Sequence, residues 1–369
     1  MVYRVIGLMS GSSLDGLDIV FTELEENRGN WTYSIKAAAC YDYDTNWKQK
    51  LQSAKNLSAY EYLLLHVDYG KYLAGSVNAF IRQNDLDHQV QLISSHGHTV
   101  FHEPQYNMTA QLGDGATIAA LTGINVVDQL RSIDVALGGQ GAPIVPLGEK
   151  LLLPGFDFYL NVGGIANISV SNAENFIAFD VCPANRVLNM LAQDSGKEFD
   201  EGGRIGESGE IKTDLLNKLN ELNYYGHPYP KSLSNDFGTD VVFPLIKSFN
   251  LATQDALRTY TEHIALQVGR SIQDLVALNN IKHQTSNIKL LVTGGGAFND
   301  FLIHRLREIV QEINVDIVIP VAEVVKYKEA LVMALLGVLR WREENTVMAS
   351  VTGAQRSSIG GAVWIGQEA

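Results

Sequence analysis

The chain has 369 residues, 46% hydrophobic and 19% charged, with 41 acidic against 28 basic side chains and a net charge of −13. That length exceeds what one core comfortably spans, so two domains are expected. The acidic balance argues against nonspecific binding to nucleic acid or an anionic membrane surface. Two cysteines, Cys40 and Cys182, are too few for a disulfide framework and suit a reducing compartment. The opening "MVYRVIGLM" carries no basic, apolar and cleavage pattern, and the longest apolar run, 329–341, is too short for a bilayer. A cytoplasmic protein is expected.

Three strands come first, at 2–9, 17–24 and 31–41, and their short loops predict an antiparallel meander. Helical patterns follow at about 47–54 and 59–83. A strand at "VQLISSHG" leads to a short helix and another strand within "GDGATIAALTGINVVDQLR". The segment "ALGGQGAPIVPLGEKLLL" holds four glycines and two prolines and reads as a domain junction. Beyond it the opening is repeated in outline. "DFYLNVGGIANISV" is again strand, Gly-rich turn, strand, and "FIAFD" is a third strand. Helical patterns at 210–220 and 254–279, a strand at "IKLLV", a helix at 301–311, a strand at "VDIVIP" and an apolar helix at 325–340 complete the chain. The duplication predicts two similar α/β domains with facing hairpins: residues 1–140 with 345–369, and residues 141–344.

The turn "MSGSSLDG" between the first two strands admits two readings. Gly, Ser and Asp are ordinary hairpin residues. They also let backbone amides approach phosphate oxygens. Neither G-x-x-x-x-G-K-[ST] nor a strand–helix G-x-G-x-x-G is present, so a nucleotide would need some other loop. "TGGGAFND" after "IKLLV" is either a flexible turn or a place of close approach. Asp180, at the expected carboxyl end of a strand, either caps the following helix or projects toward a ligand. Arg131 is either a surface ion pair or an anion clamp. His96, His98 and His102 read as a hydrogen-bonded turn or, less well by spacing, as zinc ligands.

"GLMSGSSLDGLD", "SSHGHTVFH", "QLGDGATIA", "TGINVV", "RSIDVALGGQGAPIVP", "LNVGGIANIS", "FDVCPAN" and "TGGGAFN" occur in the order seen in anhydro-N-acetylmuramic acid kinases. The chain resembles that family from Gly7 to the helix around 329–339. The resemblance implies a two-domain actin/hexokinase-like (ribonuclease H-like) fold with ATP in the interdomain cleft. It implies a kinase of murein recycling that turns 1,6-anhydro-N-acetylmuramic acid, ATP and water into the 6-phosphate and ADP. By resemblance the first phosphate loop holds Ser10, Gly11, Ser12, Ser13, Asp15, Gly16 and Asp18, and the second holds Gly163, Gly164 and Asn167. Gly294, Gly295 and Gly296 would lie beside the adenosine, Asp180 would be the catalytic base and Arg131 would contact the sugar. Mg²⁺ would accompany ATP, with Asp15 and Asp18 as candidates for orienting its waters. Glu329 either faces the cleft or favours a helix N-terminus.

The implied partners are small molecules, with neither nucleic acid nor membrane, and a homodimer is allowed. The family's Asp-Thr-Gly-Pro-Gly-Asn is here Asp180-Val181-Cys182-Pro183-Ala184-Asn185, and its Asp-Phe-Arg is Gln129-Leu130-Arg131. The alternative function is a non-catalytic or weakly active actin-like ATP-binding sensor of muropeptide sugars.

Overall fold

The computed structural model describes residues 1–11, 14–171, 176–229, 231–234, 236–278 and 287–367. These form two compact units, Met1–Pro154 with Tyr327–Ala369, and Gly155–Lys326. The junction thus falls after the "GGQGAPIVP" stretch, at 154/155, and the chain returns to the first unit at 326/327.

Unit 1 opens with β1 (Val2–Ser10), β2 (Gly16–Asn27) and β3 (Asn30–Asp42), the predicted antiparallel meander. Next come α1 (Thr45–Ser53) and α2 (Ala59–Gln83). The bounds of α2 follow from its ends: Ser58 accepts from the Glu61 amide while Glu61 reaches back to the Ser58 amide, a reciprocal cap. β4 (Leu92–Glu103) lies parallel to β1, and β5 (Met108–Leu112) folds back antiparallel on β4. After α3 (Gly115–Thr122), β6 (Asn125–Asp128) adds parallel to β4, and α4 (Ser132–Ala136) and α5 (Val145–Leu152) follow.

Unit 2 repeats the opening with β7 (Phe158–Val162), β8 (Ile165–Ser171) and β9 (Phe176–Pro183). Its helices are α6 (Asn185–Gln193), α7 (Arg204–Glu207), α8 (Thr213–Asn220), α9 (Phe243–Ser248) and α10 (Thr253–Leu278). β10 (Ile288–Thr293) is parallel to β7, α11 (Asp300–Gln311) follows, and β11 (Val315–Val318) is parallel to β10. The residues of α12 (Ala322–Trp341) from Tyr327 onward belong to unit 1, as does β12 (Ala362–Trp364), antiparallel on β6.

The expected duplication is present in the strand order. The unit 1 sheet runs β12-β6-β4-β1-β2-β3 with β5 beside β4, and the unit 2 sheet runs β11-β10-β7-β8-β9. In each, a meander is followed by two parallel strands added beside its first strand, so the mixed α/β fold class is as expected.

Alternation along the strands divides the packing between faces. In unit 1, Ile6, Leu8, Ile19 and Ile93 bury with Tyr69, Leu73, Val77 and Phe80 of α2. Gly7 presents the opposite face to α12, where an added Cβ would lie 2.0 Å from the Ala330 carbonyl oxygen. The apolar run at 329–341 is therefore a core helix, buried on nearly every side from Ala330 to Leu339. In unit 2, Leu160, Ile168 and Val181 pack with Leu188 of α6, Ile264 of α10 and Leu306 of α11.

Candidate active site

The site residues of unit 1 gather at the end of β1. Ser10 closes that strand with its hydroxyl turned inward. Tyr43 OH donates to Ser10 Oγ (2.8 Å), which in turn lies 3.1 Å from His98 Nδ1, and Tyr43 OH is 2.6 Å from Tyr69 OH. His98 is neutral, since burial pushes its pKa down to about 4. Gly11 follows and its carbonyl accepts the Leu14 amide at 3.5 Å, while Ser12 and Ser13 lie outside the described residues. Asp15 is exposed at the turn, and Gly16 begins β2 in a slot where a Cβ would meet the Tyr41 carbonyl oxygen at 2.7 Å. Asp18 is pushed up to about 6, chiefly by burial and further by the like charges of Glu329 and Asp15, against a hydrogen bond from Cys40.

Arg131 lies in the same unit, just after β6, and is not a surface ion pair. Its Nε donates to His96 Nε2 (2.9 Å) and its Nη1 to the Gly141 carbonyl (2.6 Å). The Gly141 amide donates to Asp134 Oδ2 (2.8 Å), and Thr352 Oγ1 donates to Asp134 Oδ1 (2.7 Å). The "GGQGAP" loop is thus clamped between a cation and a buried carboxylate. Burial lowers the Arg131 pKa to about 10 against the opposing charges of Glu329 and Asp134. Glu329 stands two turns inside α12, which starts at Ala322, so the helix N-terminus reading does not hold. Its carboxyl is raised, first by burial, and partly relieved by Lys328 and Arg131. The histidines are neutral hydrogen-bonding groups: His102 Nδ1 lies 3.0 Å from Thr109 Oγ1, and among the described residues no three His, Cys, Asp or Glu side chains could hold a metal.

In unit 2 the β7–β8 hairpin carries Gly163 and Gly164. Three amides at the start of α6 donate to it: Ala184 and Arg186 to the Gly164 carbonyl (2.8 and 3.4 Å) and Asn185 to the Gly163 carbonyl (3.0 Å). These carbonyls replace the side-chain cap that Ala184 lacks. Because N–H and C=O oppose each other across a trans peptide, the Gly164 and Ile165 amides face away from α6. A Cβ on Gly163 or Gly164 would meet nothing nearer than 3.5 Å, and neither has a positive φ. The fold itself does not need glycine there, and the absence of a side chain leaves the backbone open to close approach.

"TGGG" divides differently. A Cβ on Gly294 would lie 2.8 Å from Asn161 Oδ1, and one on Gly296 would lie 2.2 Å from Val162 Cγ1, so these glycines pack against β7. Gly295 is exposed, and a Cβ there would come no nearer than 3.2 Å, to Asn185 Nδ2.

Asp180 sits where β8 and β9 change register. Asn167 pairs with Asp180 but Ala166 with Cys182, leaving Val181 as the extra residue of a bulge. Such bulges re-aim side chains beside functional sites. The expectation that Asp180 ends its strand is corrected, since Cys182 and Pro183 still pair with β8. The helix-cap reading is also excluded, because Asp180 Oδ2 accepts the Leu233 amide at 2.8 Å. Its own amide donates to the Lys231 carbonyl (3.2 Å), and Tyr224 OH donates to its carbonyl (2.6 Å). Burial raises the Asp180 pKa, and the Leu233 hydrogen bond opposes the shift. Among the described residues Oδ1 accepts no hydrogen bond.

The candidate residues therefore form one group in each unit. Ser10, Gly11, Asp15, Gly16, Asp18, Arg131 and Glu329 belong to unit 1; Gly163, Gly164, Asn167, Asp180, Gly294, Gly295 and Gly296 belong to unit 2. Sequence reading overlooked the Leu233 amide that holds Asp180. It also overlooked the link from His96 to Arg131.

The family model described as anhydro-N-acetylmuramic acid kinase matches residues 3–366. A protein of that name from Sulfurovum sp. is 32% identical over 98% of this chain and 99% of its own length. Another from Aliivibrio fischeri is 35% identical over 82% of this chain and 83% of its own. Among solved structures, a ROK family glucokinase from Streptomyces griseus in complex with glucose and AMPPNP aligns with TM-score 0.42 and 11% identity. That alignment covers 91% of this chain and 99% of the glucokinase.

Proposed function

The chain belongs to the anhydro-N-acetylmuramic acid kinase family, and from that premise we propose that Asp180 is the base of its reaction. The kinase converts 1,6-anhydro-N-acetylmuramic acid, ATP and water into N-acetylmuramic acid 6-phosphate and ADP in murein recycling. The anhydrosugar has no free 6-hydroxyl, because O6 is bonded to C1. Water must therefore supply oxygen to C1. The water oxygen bonds to C1 and one water proton passes to Asp180. The C1–O6 bond breaks, O6 bonds to the γ-phosphorus, and the bond from that phosphorus to the bridging oxygen breaks to release ADP.

The observation that supports this role best is the state of the Asp180 carboxylate. One oxygen is held by the Leu233 amide, the other accepts nothing among the described residues, and burial raises its pKa. A carboxylate so placed takes a proton more readily than a solvated one and stabilises positive charge developing at C1.

The remaining assignments follow the same reading. The outward amides of the Gly163–Gly164 hairpin cradle phosphate, as do those of the loop after Ser10. Gly295 lies beside the adenosine, and Arg131 contacts the sugar. Asp15 and Asp18, two carboxylates close enough to raise the Asp18 pKa at the start of β2, would orient the waters of a Mg²⁺ that accompanies ATP, a role that suits hard carboxylate oxygens. When bound the ion neutralises phosphate charge. We place the enzyme in the cytoplasm, and the reading accommodates a homodimer. Among the described residues no helix is long and apolar enough to cross a membrane.

Coupled ADP release with and without the anhydrosugar tests the function. Release that requires the sugar is expected. Release independent of sugar would favour an actin-like ATP switch, and binding of both ligands without release would favour a sensor.

A further inference from the structure

We propose that His96 is the positioning residue for Arg131, a neutral imidazole that fixes the guanidinium's orientation toward the anhydrosugar. The proposal rests on the reading of Arg131 as the sugar contact. Its basis is a hydrogen-bond pattern that leaves the ring no choice. His96 Nδ1 lies 2.8 Å from the Gly97 carbonyl oxygen, which only accepts. His96 Nε2 lies 2.9 Å from Arg131 Nε, which only donates. The proton must therefore sit on Nδ1 and the lone pair on Nε2. A cationic ring or the other tautomer would set two N–H groups against each other. His96 is 4% exposed, and its pKa is pushed down to about 3 by burial and then by Arg131.

The consequence concerns the guanidinium. Nε is held by His96 and Nη1 by the Gly141 carbonyl, two fixed acceptors on β4 and the "GGQGAP" loop. Among the described residues Nη2 donates to nothing. Two anchors define the plane of the fork, and Nη2 is the edge left for a ligand oxygen. An apolar side chain at 96 leaves Nε–H without an acceptor, so Arg131 turns to satisfy it and loses that edge.

Three variants read this out through separate Michaelis constants for sugar and ATP. His96→Leu removes the acceptor at similar volume. His96→Gln offers an amide oxygen near the former Nε2, and His96→Asn is too short to reach. The proposal expects His96→Leu and His96→Asn to raise the sugar KM about 10–100-fold, the range for losing a hydrogen bond to a charged group. The ATP KM should stay within about twofold, and His96→Gln should recover most of the loss. A sugar KM unchanged in Leu, or equal in Gln and Asn, overturns the proposal. If His96→Leu fails to fold, the Gln–Asn comparison decides alone.

Arg131→Ala separates the two readings. A sugar KM unchanged in Arg131→Ala overturns the sugar-contact role itself. A raised KM there with native behaviour of the His96 variants overturns only the positioning role. ¹⁵N spectra of the unliganded protein at neutral pH provide a measurement independent of turnover. They should show His96 protonated at Nδ1 alone; a proton at Nε2 contradicts the proposal.

Discussion

Asp18 is held above its ordinary 3.8, at about 6, chiefly by burial, so the folded chain keeps a proton there that the unfolded chain has released. Between those values the folded state binds more protons, and stability falls as pH rises through the window. At neutral pH the ionised group costs on the order of 1–2 kcal/mol, allowing for its partial exposure. Asp18→Asn should therefore raise Tm at pH 7.5, with the gain shrinking as pH falls from about 6 toward 4. Equal melting at pH 7.5 would contradict the burial account. Asp180 is displaced in the same direction, with a kinetic consequence. In the proposed role Asp180 must be unprotonated, so turnover should fall on acidification at a pH above the ordinary aspartate range. Asp180→Asn should lose at least about 10²-fold in kcat, the lower end for positioned general-base catalysis, with little change in sugar affinity. Asp180 and Arg131 were legible in the sequence because each lies in or just after an apolar strand, although β9 runs on past Asp180 to Pro183. Their partners were not: the Leu233 amide is 53 residues from Asp180, and His96 is 35 from Arg131.

The two hairpins and the "TGGG" turn show how differently glycines can be used within one motif. Gly164 has clearance on the protein side, with Arg186 Nε 3.8 Å from where a Cβ would stand, whereas Gly296 would meet Val162 at 2.2 Å. Gly164→Val should abolish binding of a nonhydrolysable ATP analogue in calorimetry while Tm stays close to native. Gly296→Ala should lower stability by about 1–3 kcal/mol through overpacking against β7. Undiminished affinity in Gly164→Val would remove the cradle argument. Sequence could identify these loops as Gly-rich but could not sort their members, because the sorting depends on what packs against each backbone. The same limit explains the missed elements. β5 and β12 are 5 and 3 residues long and exist by pairing with β4 and β6. α5 sits inside the segment read as a junction, although Pro146 in its first turn is a helix-start signal. The long, locally capped α2 was legible to both ends, whereas the Val181 bulge, a product of register, was not.

The duplicated strand order gives the chain two units of similar design. Unit 1 carries Arg131 and unit 2 carries Asp180. The meander-plus-parallel pattern was visible in the sequence because both halves begin with strand, Gly-rich turn, strand. The boundaries followed less readily, since α5 and most of α12 belong to unit 1 by packing rather than by any change in composition. In the proposed reaction water attacks C1, with Asp180 taking its proton, while O6 receives the phosphoryl group. Turnover in ¹⁸O-water, with the product reduced at once to stop anomeric exchange, tests this most directly. Label is expected on C1 and none in the transferred phosphoryl group, at a rate that collapses in Asp180→Asn. Label in the phosphate, or native-rate labelling of C1 by Asp180→Asn, would contradict it.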